Sequence, residues 1–166
     1  EESNANNLEE SYATPTVSYV NLTPTPTTFY SSWRQYVNTE YDYTIRFPSH
    51  LSTQNVAAGA GTQEAPTNAR SIYIYDPAKG NNPTLYLYLT IEALQLAPTY
   101  GEEWVSSKTI VNNIPAVKYQ YKIGQADSDL YQITLPNNKG ILEIRVTTEQ
   151  DRVGLANQIF STLQLQ

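Results

Sequence analysis

Strict alternation of residue types dominates the middle of the chain, from Arg70 to Leu94. One alternating set comprises Ile72, Ile74, Leu85, Leu87, Leu89 and Ile91, and the other comprises Tyr73, Tyr75, Tyr86 and Tyr88. A period of two is typical of a β-strand, so the segment predicts two long strands joined by the turn-rich loop 76–83. The Ile/Leu face is expected in the core, and the tyrosine face is left open to two interpretations.

Other segments repeat this pattern over shorter lengths. Residues 41–47 predict a half-buried strand, which Pro48 ends because proline has no amide donor. The segments 116–123, 129–135 and 141–147 predict further strands, and a short one lies within 54–58. Asn137-Asn-Lys-Gly140 has the composition of a hairpin turn.

Two segments are predicted to be helical. Residues 98–108 carry acids early and Lys108 late, which suits the helix dipole, and Tyr100 and Trp104 would face the sheet. In the last segment Val153, Ala156, Ile159, Phe160 and Leu163 recur at helical spacing after an N-cap within 148–151. This order of elements predicts an α+β domain, an antiparallel β-sheet with helices packed on its faces.

An extended arm precedes the folded part. Residues 1–32 are first acidic and then rich in Thr, Pro and Ser, a composition of semi-rigid linkers, and the folded domain is predicted over 33–166. Residues 16–23 could form a strand within the arm and add to the sheet edge of a neighbouring subunit. That interface would use Val17, Tyr19, Val20 and Leu22, and Asn21-Leu22-Thr23 fits an N-glycosylation site.

Composition indicates which ligands the protein is not expected to bind and where in the cell it is expected to work. The formal charge of the 166 residues is −6, but Glu1, Glu2, Glu9 and Glu10 supply four of the 16 acids, so the rest is nearly neutral. Nucleic-acid binding is not expected without a basic excess. The sequence has no Cys and no Met, even at its first position. We therefore expect an N-terminal signal or anchor to have been removed, with the protein at the cell surface or outside the cell and no other membrane contact.

Several quoted segments together resemble the PsbP-like domains of bacterial surface lipoproteins. They are the opening Trp33, the strand Tyr41-Asp-Tyr-Thr-Ile-Arg-Phe-Pro48, the turn Val111-Asn-Asn-Ile-Pro-Ala-Val117 and the closing Asn157-Gln-Ile-Phe-Ser-Thr-Leu-Gln-Leu165. The resemblance covers roughly residues 33–166. It implies an antiparallel sheet sandwiched by helices, tethered outside the cytoplasmic membrane. Family members of known function bind proteins, as the photosystem II extrinsic subunit does, and are not generally enzymes.

Residues capable of catalysis are sparse. The single histidine, His50, follows a strand end and is interpreted as a surface residue; Glu102 and Glu103 are adjacent and would diverge on a helix. Asp127-Ser-Asp129 lacks the later Gly and Glu of a calcium loop, and Gly59-Ala-Gly61 lacks the rest of a phosphate-binding fingerprint. We predict no enzymatic activity, no cofactor and no metal site.

Two functional hypotheses remain. In the first, the chain is an extracytoplasmic structural or interaction module whose partner is another protein or copies of itself, assembled into a filament by strand addition. In the second, it is a membrane-tethered ligand-binding domain for a glycan or small solute. In both, Tyr73, Tyr75, Tyr86 and Tyr88 form the interface unless the chain's own helices cover them.

Overall fold

The computed structural model describes residues 32–56, 64–79, 84–94, 100–101, 103–122 and 127–166. The strands of this part are β1 (Trp33–Asn38), β2 (Tyr43–Pro48), β3 (Ser52–Asn55), β4 (Ser71–Asp76), β5 (Thr84–Glu92), β6 (Trp104–Val111), β7 (Ile114–Tyr121), β8 (Ser128–Thr134), β9 (Ile141–Thr147) and β10 (Gln164–Leu165). Helix α1 (Val153–Phe160) lies between β9 and β10. The predicted arm, with Val17, Tyr19, Val20, Leu22 and the glycosylation site at Asn21, falls outside the described residues, as does the 59–61 glycine pair.

These strands form two antiparallel sheets. The larger sheet has the order β3-β4-β5-β9-β8-β7-β6, and the smaller has the order β1-β2-β10. The predicted α+β class with an antiparallel sheet is confirmed, and so are the strands expected around 41–47, 70–94, 116–123, 129–135 and 141–147. The short strand expected within 54–58 instead lies at Ser52–Asn55, and residues 57–58 fall outside the described residues. More than one helix was predicted, but the described residues contain a single α-helix.

The core lies between the larger sheet, α1 and the smaller sheet. Alternation in β4, β5 and β9 sends one set of side chains into it, as predicted from the sequence, except at Leu85. Leu85 was predicted in the core, but it pairs with Tyr75 beyond the register shift between β4 and β5 and is only half-buried, outside the core. Its fully buried members include Ile72, Ile74, Leu87, Leu89, Leu142 and Ile144. Strand β2 adds Tyr43, Ile45 and Phe47 from the smaller sheet. Burying this much branched apolar surface is the main stabilising term for such a domain.

Helix α1 packs its apolar stripe onto β5, β9 and β2. Ala156, Ile159 and Phe160 are buried there, and the Phe160 ring lies 4.6 Å from that of Tyr131. The helical spacing predicted this element. The N-cap predicted within 148–151 is wrong, because the helix begins at Val153 and Arg152 occupies the cap position without a side-chain bond. Instead the Glu149 carbonyl accepts hydrogen bonds from the amides of Arg152 and Val153.

The helix predicted over 98–108 is wrong. Trp104–Val111 is an edge strand, β6, paired along its whole length with β7. The physical reason lies at the C-terminal end of the segment, where β-branched Thr109, Ile110 and Val111 favour an extended backbone. They run into Asn112 and Asn113, whose φ values of 45° and 64° give the left-handed pair of residues that a two-residue hairpin needs.

Candidate functional site

The face of the larger sheet opposite α1 carries the residues of interest. Strand register places one row of residues directly opposite one another across the sheet: Gln54, Tyr73, Tyr88, Arg145, Leu130, Tyr119 and Ser106. Because opposed residues share a face, these side chains lie together, on what we call the open face. Tyr131, next to Leu130 in β8, points the other way and contacts α1 through Phe160. The interpretation that α1 covers the tyrosine face is therefore wrong.

A groove of about 650 Å³ lies on the open face where β5, β8 and β9 meet the start of the α1 segment. Its lining residues are Tyr73, Leu85, Tyr86, Leu87, Tyr88, Asp127, Ser128, Arg145, Thr147, Glu149 and Arg152. The volume falls in the range of small-molecule sites, about 300–1,000 Å³. Three of the four tyrosines predicted from the alternation thus line one concave surface.

The groove's aromatic part is built on the β4–β5 hairpin. Tyr73 and Tyr88 are direct partners in the register, and their ring centroids lie 5.0 Å apart at an interplanar angle of 37°. Both side chains are half-buried. A tilted ring pair of this kind presents large, rigid, partly exposed aromatic surface at little cost in conformational entropy.

An irregularity in the hairpin separates the other two tyrosines. The register shifts between Ile74 and Tyr75, so that Tyr75 pairs with Leu85 and Tyr86 has no direct partner in β4. Tyr86 lines the groove and also packs against the core, whereas Tyr75 is not among the lining residues. Burial, followed by the nearby Asp76 carboxylate, raises the pKa of Tyr86. A tyrosine hydroxyl keeps its proton at neutral pH even without this shift, so Tyr86 can donate a hydrogen bond.

The charged side chains of the groove offset one another. Its lining includes two guanidinium groups, from Arg145 and Arg152, and two carboxylates, from Asp127 and Glu149. Arg152 forms an ion pair with Glu149 within the groove. Arg145 is about half exposed and lies 3.3 Å from the Glu143 carboxylate. The lining thus has no net formal charge, and its polar groups serve better as hydrogen-bond donors and acceptors than as an ion trap.

A second group of aromatic side chains lies on the same face toward β6 and β7. In this Trp104 cluster, ring centroids are 5.2 Å apart for Tyr100 and Trp104, 4.7 Å for Tyr100 and Tyr119, and 5.3 Å for Trp104 and Tyr121. Tyr100 Oη donates a 2.6 Å hydrogen bond to Glu143 Oε2, and burial together with this bond raises the pKa of Tyr100. Glu143 is only 3% exposed, and this buried carboxylate accepts a hydrogen bond from Tyr100 and is paired with the Arg145 guanidinium.

The other residues considered for catalysis or metal binding do not form a site with one another in the described part of the chain. His50 is exposed in a turn after β2, and it does not line the groove. Asp127 lines the groove. Asp129 lies on the opposite face of β8, where its carboxylate is 2.8 Å from Lys118 Nζ. Glu103 is exposed and precedes β6, while Glu102 falls outside the described residues. Within the described ranges, no three His, Asp or Glu side chains are grouped to hold a metal ion.

Sequence reasoning missed the polar half of the groove. The alternation of side chains in β9 puts Glu143 and Arg145 on the face opposite the core. What brings Arg145 beside Tyr88 is the pairing of β9 with β5, a contact between strands far apart in the chain. Arg152 arrives from the segment before α1, and its guanidinium also contacts the Leu85 carbonyl at 3.4 Å.

Comparisons with known proteins give a likeness in fold. No family model matches the chain, and no curated protein does. Among solved structures the chain is similar to the solution structure of cyanobacterial PsbP (CyanoP) from Synechocystis sp. PCC 6803, with 11% identity and a TM-score of 0.47. The match covers 87% of this chain and 99% of that one. Among the described residues, no helix has the length and apolar character to cross a membrane.

Proposed function

We propose that this chain is a non-enzymatic binding module that works outside the cytoplasm and holds an uncharged glycan in the groove of its open face. The single observation that carries the proposal is the Tyr73–Tyr88 ring pair, half-buried in a groove of about 650 Å³. The flat C–H face of a sugar ring stacks on aromatic rings, while its hydroxyls bond polar side chains at the rim. Tyrosine suits both roles because its ring is apolar and its tip is polar.

Charge is the second support for a neutral ligand. Sites for phosphate or carboxylate gather Arg and Lys in excess, since these residues form the strong charge-assisted bonds to anions. In this groove each guanidinium has an acidic neighbour, Glu143 for Arg145 and Glu149 for Arg152. Ser128, Thr147 and Asp127 complete the rim with hydroxyl and carboxylate groups suited to sugar hydroxyls.

The absence of a catalytic role is part of this proposal. Cleavage of a glycan requires a pair of carboxylic acids flanking the scissile bond, one of them an acid and the other a base or nucleophile. Glu149, one of the two lining carboxylates, is held in an ion pair with Arg152. An extracytoplasmic location agrees with the composition of the chain, which has 16% charged residues and many Thr and Tyr.

Retention on insoluble polysaccharides tests the proposal. The purified protein is mixed with cellulose, chitin or curdlan, all nearly uncharged, and with polygalacturonate as a polyanion. We expect retention on a neutral polymer that persists when the salt concentration is raised, because no ion pair with the ligand is involved. Retention only on polygalacturonate, or on none of the polymers, contradicts the proposal.

A second candidate function is self-assembly by the addition of a strand to β6. In the described part of the chain, β6 pairs with β7 alone, at one end of the larger sheet, and its residues 105–108 are exposed. An eight-residue edge of this kind can receive an added strand, and residues 16–23 are the segment predicted to supply it. Analytical ultracentrifugation of the full chain and of a variant lacking residues 1–28 tests this. Assembly by both forms, or by neither, contradicts strand addition.

A further inference from the structure

The groove and the Trp104 cluster belong to one continuous row on the open face. From Tyr88 in β5 the register runs through Arg145 in β9 and Leu130 in β8 to Tyr119 in β7. At about 4.8 Å between neighbouring strands, Tyr88 and Tyr119 lie about 14 Å apart. A ligand must therefore be longer than one sugar ring to contact both the Tyr73–Tyr88 pair and the Trp104 cluster.

Leu130, between Arg145 and Tyr119 in the row, is covered by its neighbours on the open face. This side chain is only 2% exposed, yet it points away from the main core, which places it beneath the side chains of the open face. Arg145 stands beside it in the row, with a guanidinium that is about half exposed and held by Glu143. A planar guanidinium can stack on a ring and donate to hydroxyls at its edges.

One buried polar group next to the Trp104 cluster lacks a partner among the described residues. Gln132 is 9% exposed, and its Oε1 accepts a 3.2 Å hydrogen bond from Tyr119 Oη. Its Nε2 is buried and has no hydrogen-bond partner in the described part of the chain. Leaving a buried donor unpaired costs about 1–3 kcal/mol, and a ligand oxygen removes that cost only if the side chains that cover the amide move aside. The accessible feature of the Trp104 cluster is therefore its stacking surface.

We infer that the ligand is an extended oligosaccharide chain that crosses the strands, with one end on Tyr73 and Tyr88 and the other on the Trp104 cluster. The inference rests on the proposed function and adds a second subsite to it. A disaccharide occupies the groove alone, whereas a hexasaccharide reaches both aromatic groups. Affinity therefore rises with chain length until the Trp104 cluster is engaged.

The tryptophan content of the chain makes the second subsite directly observable. Trp33 and Trp104 are its two tryptophans, and Trp33 lies in β1 of the smaller sheet, packed against the core. In a Trp33→Phe variant, fluorescence emission reports Trp104 alone. The probes are cellobiose and cellohexaose, chitobiose and chitohexaose, and laminaribiose and laminarihexaose, titrated with emission and calorimetry recorded in parallel.

We expect one hexasaccharide to bind about tenfold or more tighter than its disaccharide, equivalent to one aromatic stacking contact. Only the hexasaccharide shifts the emission of Trp104. Trp104→Ala reduces its affinity to that of the disaccharide, while Val105→Ala, on the other face of β6 and 50% exposed, leaves the affinity unchanged. Equal affinities for both lengths, with emission unchanged at saturation, overturn the second subsite but not the groove. Binding by none of the sugars overturns the proposed function and this inference together.

Discussion

Tyr73 and Tyr88 lie directly opposite each other in β4 and β5, with ring centroids 5.0 Å apart, whereas Tyr75, two residues along the same strand, pairs with Leu85. The register shift between Ile74 and Tyr75 causes this difference. It places one tyrosine pair in the groove and leaves Tyr75 out of its lining, although all three residues share a hairpin and a half-buried environment. Tyr75 is consequently a matched control for any substitution of Tyr88.

Two glycines are expected to respond to alanine in opposite directions. At Gly140 the φ of 129° is unfavourable for other residues, and an added Cβ would lie 2.6 Å from the Glu92 carbonyl oxygen. Gly140→Ala should lower the free energy of unfolding by about 2 kcal/mol or more. Gly154 is in α1 with nothing within 4 Å of an added Cβ, so Gly154→Ala should raise stability by about 0.5–1 kcal/mol.

Urea denaturation of both variants beside the wild type measures the two effects. A stabilised or neutral Gly140→Ala variant would show that the β8–β9 hairpin can shift to accept a side chain. A destabilised Gly154→Ala variant would show that the first turn of α1 is not helical in solution.

Removing the Tyr100 hydroxyl should weaken the fold through Glu143. Tyr100→Phe deletes a 2.6 Å hydrogen bond to a carboxylate that is 3% exposed, leaving the Arg145 guanidinium 3.3 Å from that carboxylate. A hydrogen bond to a charged group contributes about 1.5–3 kcal/mol, so a loss of about 2 kcal/mol is expected. Tyr121→Phe, in the same cluster but 41% exposed, should change stability by less than about 0.5 kcal/mol. Equal effects of the two variants in urea denaturation would contradict the role of Glu143.

Alkaline pH should destabilise the protein through buried tyrosines. Burial raises the pKa of Tyr36 from 10.0 to about 12, and burial raises the pKa of Tyr43 as well. Because the folded state holds the proton more tightly than the unfolded state, stability is full below about pH 10 and falls as the pH rises toward 12. The slope for Tyr36 alone is about 1.4 kcal/mol per pH unit.

The Tyr36→Phe variant isolates that contribution. It loses the 2.7 Å hydrogen bond to the Pro66 carbonyl, which costs about 1 kcal/mol at neutral pH, but its stability should fall less steeply above about pH 10. Urea denaturation at about pH 8 and about pH 11 compares the slopes. Parallel slopes for the variant and the wild type would show that Tyr36 ionises without effect on folding.

Local pattern was enough to predict most of the elements. Alternation in β4, β5 and β9 and helical spacing in α1 follow from which side chains must be buried, and burial depends on residue type. The Asn137–Gly140 turn was predicted from residue types that tolerate a positive φ, and Asn137, Asn138 and Gly140 all have positive φ values. These features are set by residues close together in the chain.

The pairing between strands could not be predicted from the local pattern of residues. Residues 98–108 have a charge distribution that suits a helix, but β6 gains more from its full-length pairing with β7 than from local preference. The register shift that separates Tyr75 from Tyr73 and the β5–β9 contact that sets Arg145 beside Tyr88 have the same origin. The aromatic half of the candidate site was therefore predictable, and its polar half was not.

The most direct test of the glycan-binding groove compares Tyr88→Ala with Tyr75→Ala. Calorimetric titration of the wild type and both variants with cellohexaose, chitohexaose and laminarihexaose measures affinity, and circular dichroism confirms that each variant is folded. We expect Tyr88→Ala to weaken binding of the recognised sugar by about tenfold or more, because it removes one ring of the stacking pair. Tyr75→Ala should bind as the wild type does. Equal affinity of all three proteins, or no binding by the wild type, would contradict the proposed role of the Tyr73–Tyr88 groove.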